Sequence, residues 1–130
     1  MKIYTGYFAQ LKRYRIRGLI PVGIARKSPD FFIDSGWKSY PPLFPSEGLL
    51  RDWKSGKIQT PGYIWRYVQE NLDGLDHNKV VEDLLQIGQG KDVILLCWEK
   101  SSDFCHRHIV KEWLNQNNIF CEEFPVKSGR

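Results

Sequence analysis

The chain has 130 residues, a formal net charge of +4, and hydrophobic and aromatic fractions of 42% and 14%. These values exclude a disordered chain and fit one globular domain over residues 1–130. No apolar run approaches the roughly 20 residues of a membrane span, and no signal-peptide stretch opens the chain. We therefore expect a soluble, cytoplasmic protein with no membrane partner. Three cysteines without a framework spacing predict free thiols.

Basic residues are concentrated at the beginning of the chain. The first 29 residues contain Lys and Arg but no Asp or Glu, and residues 12–17 form a basic run interrupted by Tyr14 and Ile16. Such asymmetry suits a phosphate-bearing partner, either a nucleotide or a nucleic acid. An ordinary solvated surface is the commoner explanation of a basic run, so the pattern leaves both open.

The first part of the chain predicts two strands. Residues 2–5 form the first, Gly6-Tyr7 a turn, and residues 8–14 one or two helical turns. Residues 18–25 form the second strand, where Pro21 either delays the start or places the early part at an edge. Residues 26–45 show no periodicity and many breakers, and their aromatic residues either cover a sheet edge or form a lid.

Three helices are predicted in the middle of the chain. Ser46 caps the first, Thr60-Pro61 begins the second, and Asp76 caps the third. The second helix should bury a stripe of Ile64, Trp65, Val68 and Leu72. The third should bury Val80, Val81, Leu84, Leu85 and Ile87.

A buried strand follows at residues 92–99, a short loop at residues 100–103, and a helix at residues 104–114. Ser101, Ser102 or Asp103 is the expected cap of this helix. A last strand is predicted at residues 119–124 and a tail at residues 127–130. Strands separated by helices imply an α/β fold, namely a mostly parallel sheet of about four strands flanked by helices in a Rossmann-like, three-layer arrangement.

The first turn of the late helix carries His106, Arg107 and His108 against the helix dipole. Each charge there costs roughly 0.3–1 kcal/mol, which a carboxylate or a bound anion must offset. One interpretation is a structural pair between Glu99 and Arg107. The other is an anion site containing Cys105, which we expect to be the most readily ionised of the three thiols.

Cys97-x-Glu99 and Cys105-His106-Arg107, with five residues between them, resemble the signature of the domain-of-unknown-function 488 family. The opening at residues 3–8 is similar to that family's first strand and turn. The resemblance implies a compact α/β fold in an intracellular, mostly microbial or viral setting, and no particular activity. Where larger members have Asp-Val-Arg after the second strand, this chain has Gly23 to Arg26, so any role of that Asp is absent or relocated.

The carboxyl ends of parallel strands share one edge of a sheet, which is where ligands bind in such folds. The ends of three predicted strands and the start of the late helix would therefore meet. The residues expected in this site are Tyr7, Arg26, Cys97, Glu99, Cys105, His106 and Arg107.

An enzyme would use Cys105 as nucleophile, Glu99 or His106 as base, and Arg107 as the anion holder. Neighbouring residues on a helix diverge by about 100°, which favours Glu99 over His106 as the base of Cys105. The sequence does not decide whether catalysis occurs.

Two alternatives need no catalysis. A binding module would hold nucleotide or nucleic acid with Arg107, Arg26 and the basic run. A metal site would use Cys97, Cys105 and His106, but the paired spacings of structural zinc sites are missing, so we expect no bound metal. The favoured reading is a site for a phosphate-bearing ligand, with thiol catalysis left open. No cofactor, substrate or oligomeric state is identified.

Overall fold

The computed structural model describes residues 1–125, so the predicted tail lies outside the described residues. Within residues 1–125 one sheet contains five strands, all parallel. They are β1 (Ile3–Tyr7), β2 (Ile20–Gly23), β3 (Lys38–Ser39), β4 (Val93–Cys97) and β5 (Cys121–Glu123). Their order across the sheet is β3-β2-β4-β1-β5. The α/β prediction is confirmed, with one strand more than expected.

Helices cover both faces of the sheet. They are α1 (Leu11–Ile16), α2 (Asp30–Asp34), α3 (Glu47–Lys54), α4 (Thr60–Tyr67), α5 (His77–Ile87) and α6 (His106–Gln116). In β4, Val93 and Leu95 pack into one core and Ile94 and Leu96 into the other. Strand β4 is buried on both sides, as its uninterrupted apolar sequence predicts. Among residues 1–125, no helix combines the length and apolar character needed to cross a membrane.

The predicted helix starts are largely confirmed. The Ser46 side chain accepts a hydrogen bond from the Leu49 N–H, and Asp76 accepts one from Asn78. Helix α4 begins at the predicted Thr60. The expected cap of α6 is wrong, because Cys105 occupies the cap position and makes no side-chain capping bond.

Two predicted core faces need correction. Trp65 is 65% exposed and Ile64 is 39% exposed, whereas Tyr63 and Tyr67 of the same helix are buried. Helix α4 is followed by a π-helical turn, Val68–Leu72, and it turns its tyrosines inward, where the Tyr67 hydroxyl donates to the Leu43 carbonyl. On α5, Leu85 is 44% exposed and lies outside the core.

The segment predicted to be irregular contains short elements. Helix α2 buries Phe32, strand β3 pairs with Val22 and Gly23, and a 3-10 turn follows at Pro41–Leu43. Pro21 lies inside β2, opposite Ile94, and β3 begins pairing only after it. At Pro21 the strand β2 pairs with β4 on one side and does not yet pair with β3 on the other. The missing N–H of Pro21 is tolerated because the β3 side needs no donor at this position.

Gly6 lies within β1 rather than in a turn, which corrects the predicted end of the strand at residue 5. A Cβ atom at this position would lie 2.5 Å from the Tyr14 hydroxyl oxygen and 2.8 Å from the Ile94 Cδ1. The Tyr14 hydroxyl also accepts a hydrogen bond from the Tyr7 N–H, so the ring cannot move away freely. Gly6 thus allows α1 to pack closely on the sheet.

We predict that Gly6→Ala lowers the free energy of unfolding by roughly 1–3 kcal/mol, because the added methyl overpacks this contact. Gly74→Ala is the matched control, since a Cβ there meets no atom of the described chain within 4 Å. Urea unfolding followed by circular dichroism measures both. Equal stability of the two variants would contradict the packing described here.

Candidate functional site

A cleft of about 630 Å³ opens at the carboxyl ends of β2 and β4, beside the start of α6. It is the place that the parallel sheet predicts for a ligand. Five of the seven predicted site residues line it: Arg26, Cys97, Glu99, Cys105 and His106. Arg107 and Tyr7 are not among the residues that line the cleft, and Arg107 lies behind Cys97.

Arg107 has no exposed surface. Its Nε and Nη2 donate to the two carboxylate oxygens of Glu123, at 3.1 and 2.9 Å. The remaining terminal nitrogen, Nη1, donates to the Cys97 sulfur at 3.1 Å. The guanidinium also lies over the Tyr7 ring, 5.8 Å from its centroid. A permanent positive charge is therefore held against the Cys97 sulfur.

The structural pair between Glu99 and Arg107, one of the two interpretations of the sequence, is wrong, because Arg107 pairs with Glu123. Glu99 is exposed at the cleft rim, because the chain turns outward after β4. The carboxylate comes instead from Glu123 of β5, which lies opposite Thr5 of β1 in the sheet. Glu123 was missed because its contact with Arg107 depends on the pairing of β1 with β5, two strands at opposite ends of the chain. Sequence gives no local signal for that register.

The Glu123 carboxylate receives four hydrogen bonds. Besides the two from Arg107, the Thr5 hydroxyl donates to Oε1 and the Ser101 hydroxyl to Oε2, each at 2.6 Å. Burial raises the pKa of Glu123, but the hydrogen bonds from Arg107, Ser101 and Thr5 outweigh it and lower the pKa to about 2. Glu123 is thus ionised and offsets the buried charge of Arg107.

Cys97 and Cys105 are joined by a disulfide, and both line the cleft. The prediction of three free thiols is therefore wrong, because strand β4 and the start of α6 bring these two sulfurs together although eight positions separate them in sequence. Cys121 is a free thiol, as predicted, and it is buried in the core. Burial raises the pKa of Cys121 to about 12, which makes it an unreactive thiol.

His106 contacts the sulfur of Cys105, with 3.7 Å between Nδ1 and Sγ. The Nε2 atom lies 2.7 Å from the Ile24 carbonyl oxygen, which can only accept, so the Nε2 carries the proton and Nδ1 is an acceptor. Burial lowers the pKa of His106 to about 4, so the ring is neutral near pH 7.

The prediction that Cys105 and His106 cannot easily face each other is wrong, because only His106 belongs to the helix. Cys105 has an extended backbone, with φ −156° and ψ 147°, and the helix begins only at His106. A sharp change of direction at this point brings the two side chains together.

The walls of the cleft are aromatic, and its rim has three cations against one carboxylate, Glu99. Trp53, Tyr63 and Phe104 pack against one another with ring centroids 5.1–5.3 Å apart, and Trp98 lies nearby on the lining. The three cations of the lining are Arg26, Lys27 and Lys54. The sequence gives no signal that aromatic residues of α3 and α4 belong to the site, because the packing of these two helices brings them there.

Cys97, Cys105 and His106 are the group of metal-ligand residues found among residues 1–125, with their ligand atoms within 4.8 Å of one another. The set does not fit a metal ion in this state. The two sulfurs are bonded to each other, so neither is a thiolate, and the Arg107 guanidinium beside Cys97 repels a cation.

The fold and the cleft define an α/β protein with a cysteine and histidine site at the carboxyl edge of a parallel sheet. Residues 11–118 match the family model described as "DUF488-N3a: Active DUF488-N3 subclade", and the chain belongs to the DUF488 family. The matched region contains the Cys97–Arg107 signature but not the opening strand. Comparison with curated proteins gave no match, and comparison with solved structures gave none either.

The ionisation states of the site predict a loss of stability in acid over two pH windows. His106 has a folded pKa of about 4, below its ordinary 6.5, so its contribution is complete above pH 6.5 and is lost as the pH falls toward 4. Ionised Glu123 contributes fully to stability above its ordinary pKa of 4.5, and that contribution is lost as the pH falls toward its folded pKa of about 2.

We expect His106→Gln, which keeps a donor for Ile24, to remove its own part of the upper window, up to about 3 kcal/mol. Burial also lowers the pKa of His108, so a part of this window remains in the variant. Unfolding free energies from urea titrations across the pH range measure it. A variant that loses as much stability as the wild type between pH 6.5 and 4 would show that His106 is not the neutral group described here.

Proposed function

We propose that the cleft binds a phosphate-bearing ligand with a flat ring, a nucleotide in the simplest case, and that Cys105 is the nucleophile of a thiol-dependent reaction on it. One observation carries this proposal. Three cations, a set of aromatic side chains and a cysteine with a basic neighbour all line the same cleft. The cations can bind a phosphate, and the aromatic side chains can stack on a base ring.

A hydrogen bond orients one of the three cations. The Nε of Arg26 donates to the Pro45 carbonyl oxygen at 3.0 Å, which orients the guanidinium at the rim and leaves its terminal nitrogens for a phosphate. Lys27 and Lys54 supply further positive charge to the lining. The first N–H groups of α6 add a partial positive charge beside Cys105.

The aromatic residues suit the ring of a nucleotide. Trp98 is half exposed, and its indole nitrogen donates to the Lys27 carbonyl oxygen at 2.7 Å. That bond fixes the ring close to the Lys27 backbone. A base that stacks on Trp98 or Trp53 would therefore keep its phosphate within reach of the cationic rim.

The proposed chemistry uses the reduced form of Cys105. The Nδ1 of His106 accepts the thiol proton as the sulfur attacks an electrophilic atom of the ligand. Glu99, exposed at the rim, is the second group available for proton transfer. The matching family model carries the word "active" in its description and names no reaction, which agrees with a catalytic site without identifying its substrate.

Nucleic acid is the second candidate ligand. Lys12, Arg13, Arg15 and Arg17 are all exposed on or directly after α1. Helix α1 packs on the sheet face that contains Phe8 and Leu96, whereas Trp53 and Tyr63 of the cleft belong to the opposite face. A polymer that contacts both surfaces would have to pass around the sheet edge, so a mononucleotide is the simpler ligand.

A metal ion is the third candidate. Reduction of Cys97 and Cys105 would provide two sulfur ligands beside His106. Arg107 would stay next to Cys97 and oppose the ion. This conflict ranks the metal site last.

We predict that Arg26→Gln with Lys54→Gln weakens the binding of nucleoside monophosphates to the reduced protein by about tenfold or more, because each removed charge weakens a phosphate contact. Quenching of tryptophan fluorescence or calorimetry measures it. Lys91→Gln is the matched control, since Lys91 precedes β4 and lies at the other end of the sheet.

The same titration separates the alternatives. Neutral residues at positions 12, 13, 15 and 17 should leave mononucleotide binding unchanged and weaken only oligonucleotide binding, with a steep salt dependence. Cys105→Ser should bind nucleotide and lose any turnover. A wild-type protein that binds neither nucleotides nor oligonucleotides at low salt would contradict the proposal.

A further inference from the structure

The two sulfurs of the disulfide have different neighbours. Cys97 receives a hydrogen bond from the Nη1 of Arg107, a group with no exposed surface and a fixed charge. Cys105 lies against the Nδ1 of His106, a neutral proton acceptor. One sulfur is therefore placed to carry a negative charge, and the other is placed to give up a proton to a base.

We propose that Cys97 and Cys105 are a reversible dithiol–disulfide couple that controls the thiol chemistry of the cleft, with Cys97 as the leaving thiolate and Arg107 as its positioning residue. In the disulfide, Cys105 has no thiol and cannot act as a nucleophile. In the dithiol it can. The inference rests on the proposed function for its consequence, whereas the couple itself does not depend on any ligand.

The step requires a dithiol reductant small enough to enter the cleft. One of its thiolates attacks the Cys105 sulfur, the bond to Cys97 breaks, and Cys97 departs as a thiolate stabilised by Arg107. The second sulfur of the reductant then displaces Cys105 and closes the disulfide of the reductant. Two electrons pass to the protein. Of the two protons of the reductant, one ends on Cys105, beside His106, and the other passes to solvent while Cys97 stays ionised.

Glu123 determines which sulfur is charged. Its two oxygens bind the Nε and Nη2 of Arg107, which leaves Nη1 to point at Cys97. The assignment replaces the sequence-based expectation that Cys105 is the most readily ionised thiol. That expectation counted the helix end and the neighbouring basic residues, but the side chain of Arg107 reaches past Cys105 to the end of β4.

The first test is a thiol count on the intact protein. Protein purified without reductant should, after denaturation, have one thiol that can be alkylated, Cys121. Treatment with dithiothreitol should expose all three and raise the mass by two hydrogens, and oxidised glutathione should reverse the change. Cys121→Ser is the matched control and should leave the couple intact, whereas Cys97→Ser and Cys105→Ser should each abolish it. Three reactive thiols that persist in oxidised glutathione would overturn the proposal.

The second test concerns Arg107. At mildly acidic pH, iodoacetamide should modify Cys97 of the native reduced wild-type protein faster than Cys105, because an ordinary thiol is then protonated. Arg107→Met should slow reduction of the disulfide by dithiothreitol roughly tenfold or more, and Arg107→Lys, which keeps the charge, by less. Faster modification of Cys105 would overturn the assignment of Cys97 even if Arg107→Met does not fold.

A nucleotide titration of the oxidised and reduced proteins distinguishes this inference from the proposed function. A couple that cycles in a protein that binds no nucleotide would refute the proposed ligand and support the couple. Nucleotide binding with cysteines that never pair would refute the couple alone.

Discussion

The site depends on one guanidinium buried without any exposed surface. Burial of an unpaired charge of this kind costs several kcal/mol, and breaking such a pair costs roughly 3–5 kcal/mol. Arg107 avoids this cost because it donates hydrogen bonds to both carboxylate oxygens of Glu123. The hydroxyls of Thr5 and Ser101 donate one further hydrogen bond to each of these oxygens. The group therefore ties α6 to an edge strand, to β1 and to the loop after β4.

This constraint also fixes the chemistry of the cleft. With two of its nitrogens engaged, Arg107 can offer only Nη1 to the end of β4, where it meets Cys97. The extended backbone of Cys105 then turns the first residue of α6, His106, toward the second sulfur, while the Ile24 carbonyl selects the tautomer that accepts a proton. The two cysteines line one cleft, but Cys97 lies beside a fixed positive charge and Cys105 beside a neutral proton acceptor.

The local features could be predicted from sequence. Helix starts can be predicted at Ser46, Asp76 and Thr60-Pro61, because capping and proline geometry act within a few residues. The apolar run of β4 predicts a strand that is covered on both sides. The parallel arrangement then brings Arg26, Cys97 and Cys105 to one cleft.

What sequence could not supply depends on long-range pairing or on a single backbone angle. Glu123 reaches Arg107 only through the alignment of β5 with β1. The extended conformation of Cys105, not its spacing, brings it to His106. In α4, tyrosines rather than Ile64 and Trp65 face the core, and an apolar pattern with aromatic residues on every side does not specify which face is buried.

The most direct measurement is a double-mutant cycle with Arg107→Met and Glu123→Gln, read by urea unfolding and by the alkylation rate of Cys97 in the reduced protein. The account predicts that each single variant loses roughly 3–5 kcal/mol, that the double variant loses little more than either, and that alkylation of Cys97 slows whenever Arg107 is removed. Additive losses of stability, with Cys97 as reactive as in the wild type, would show that Arg107 neither pairs with Glu123 nor charges the Cys97 sulfur.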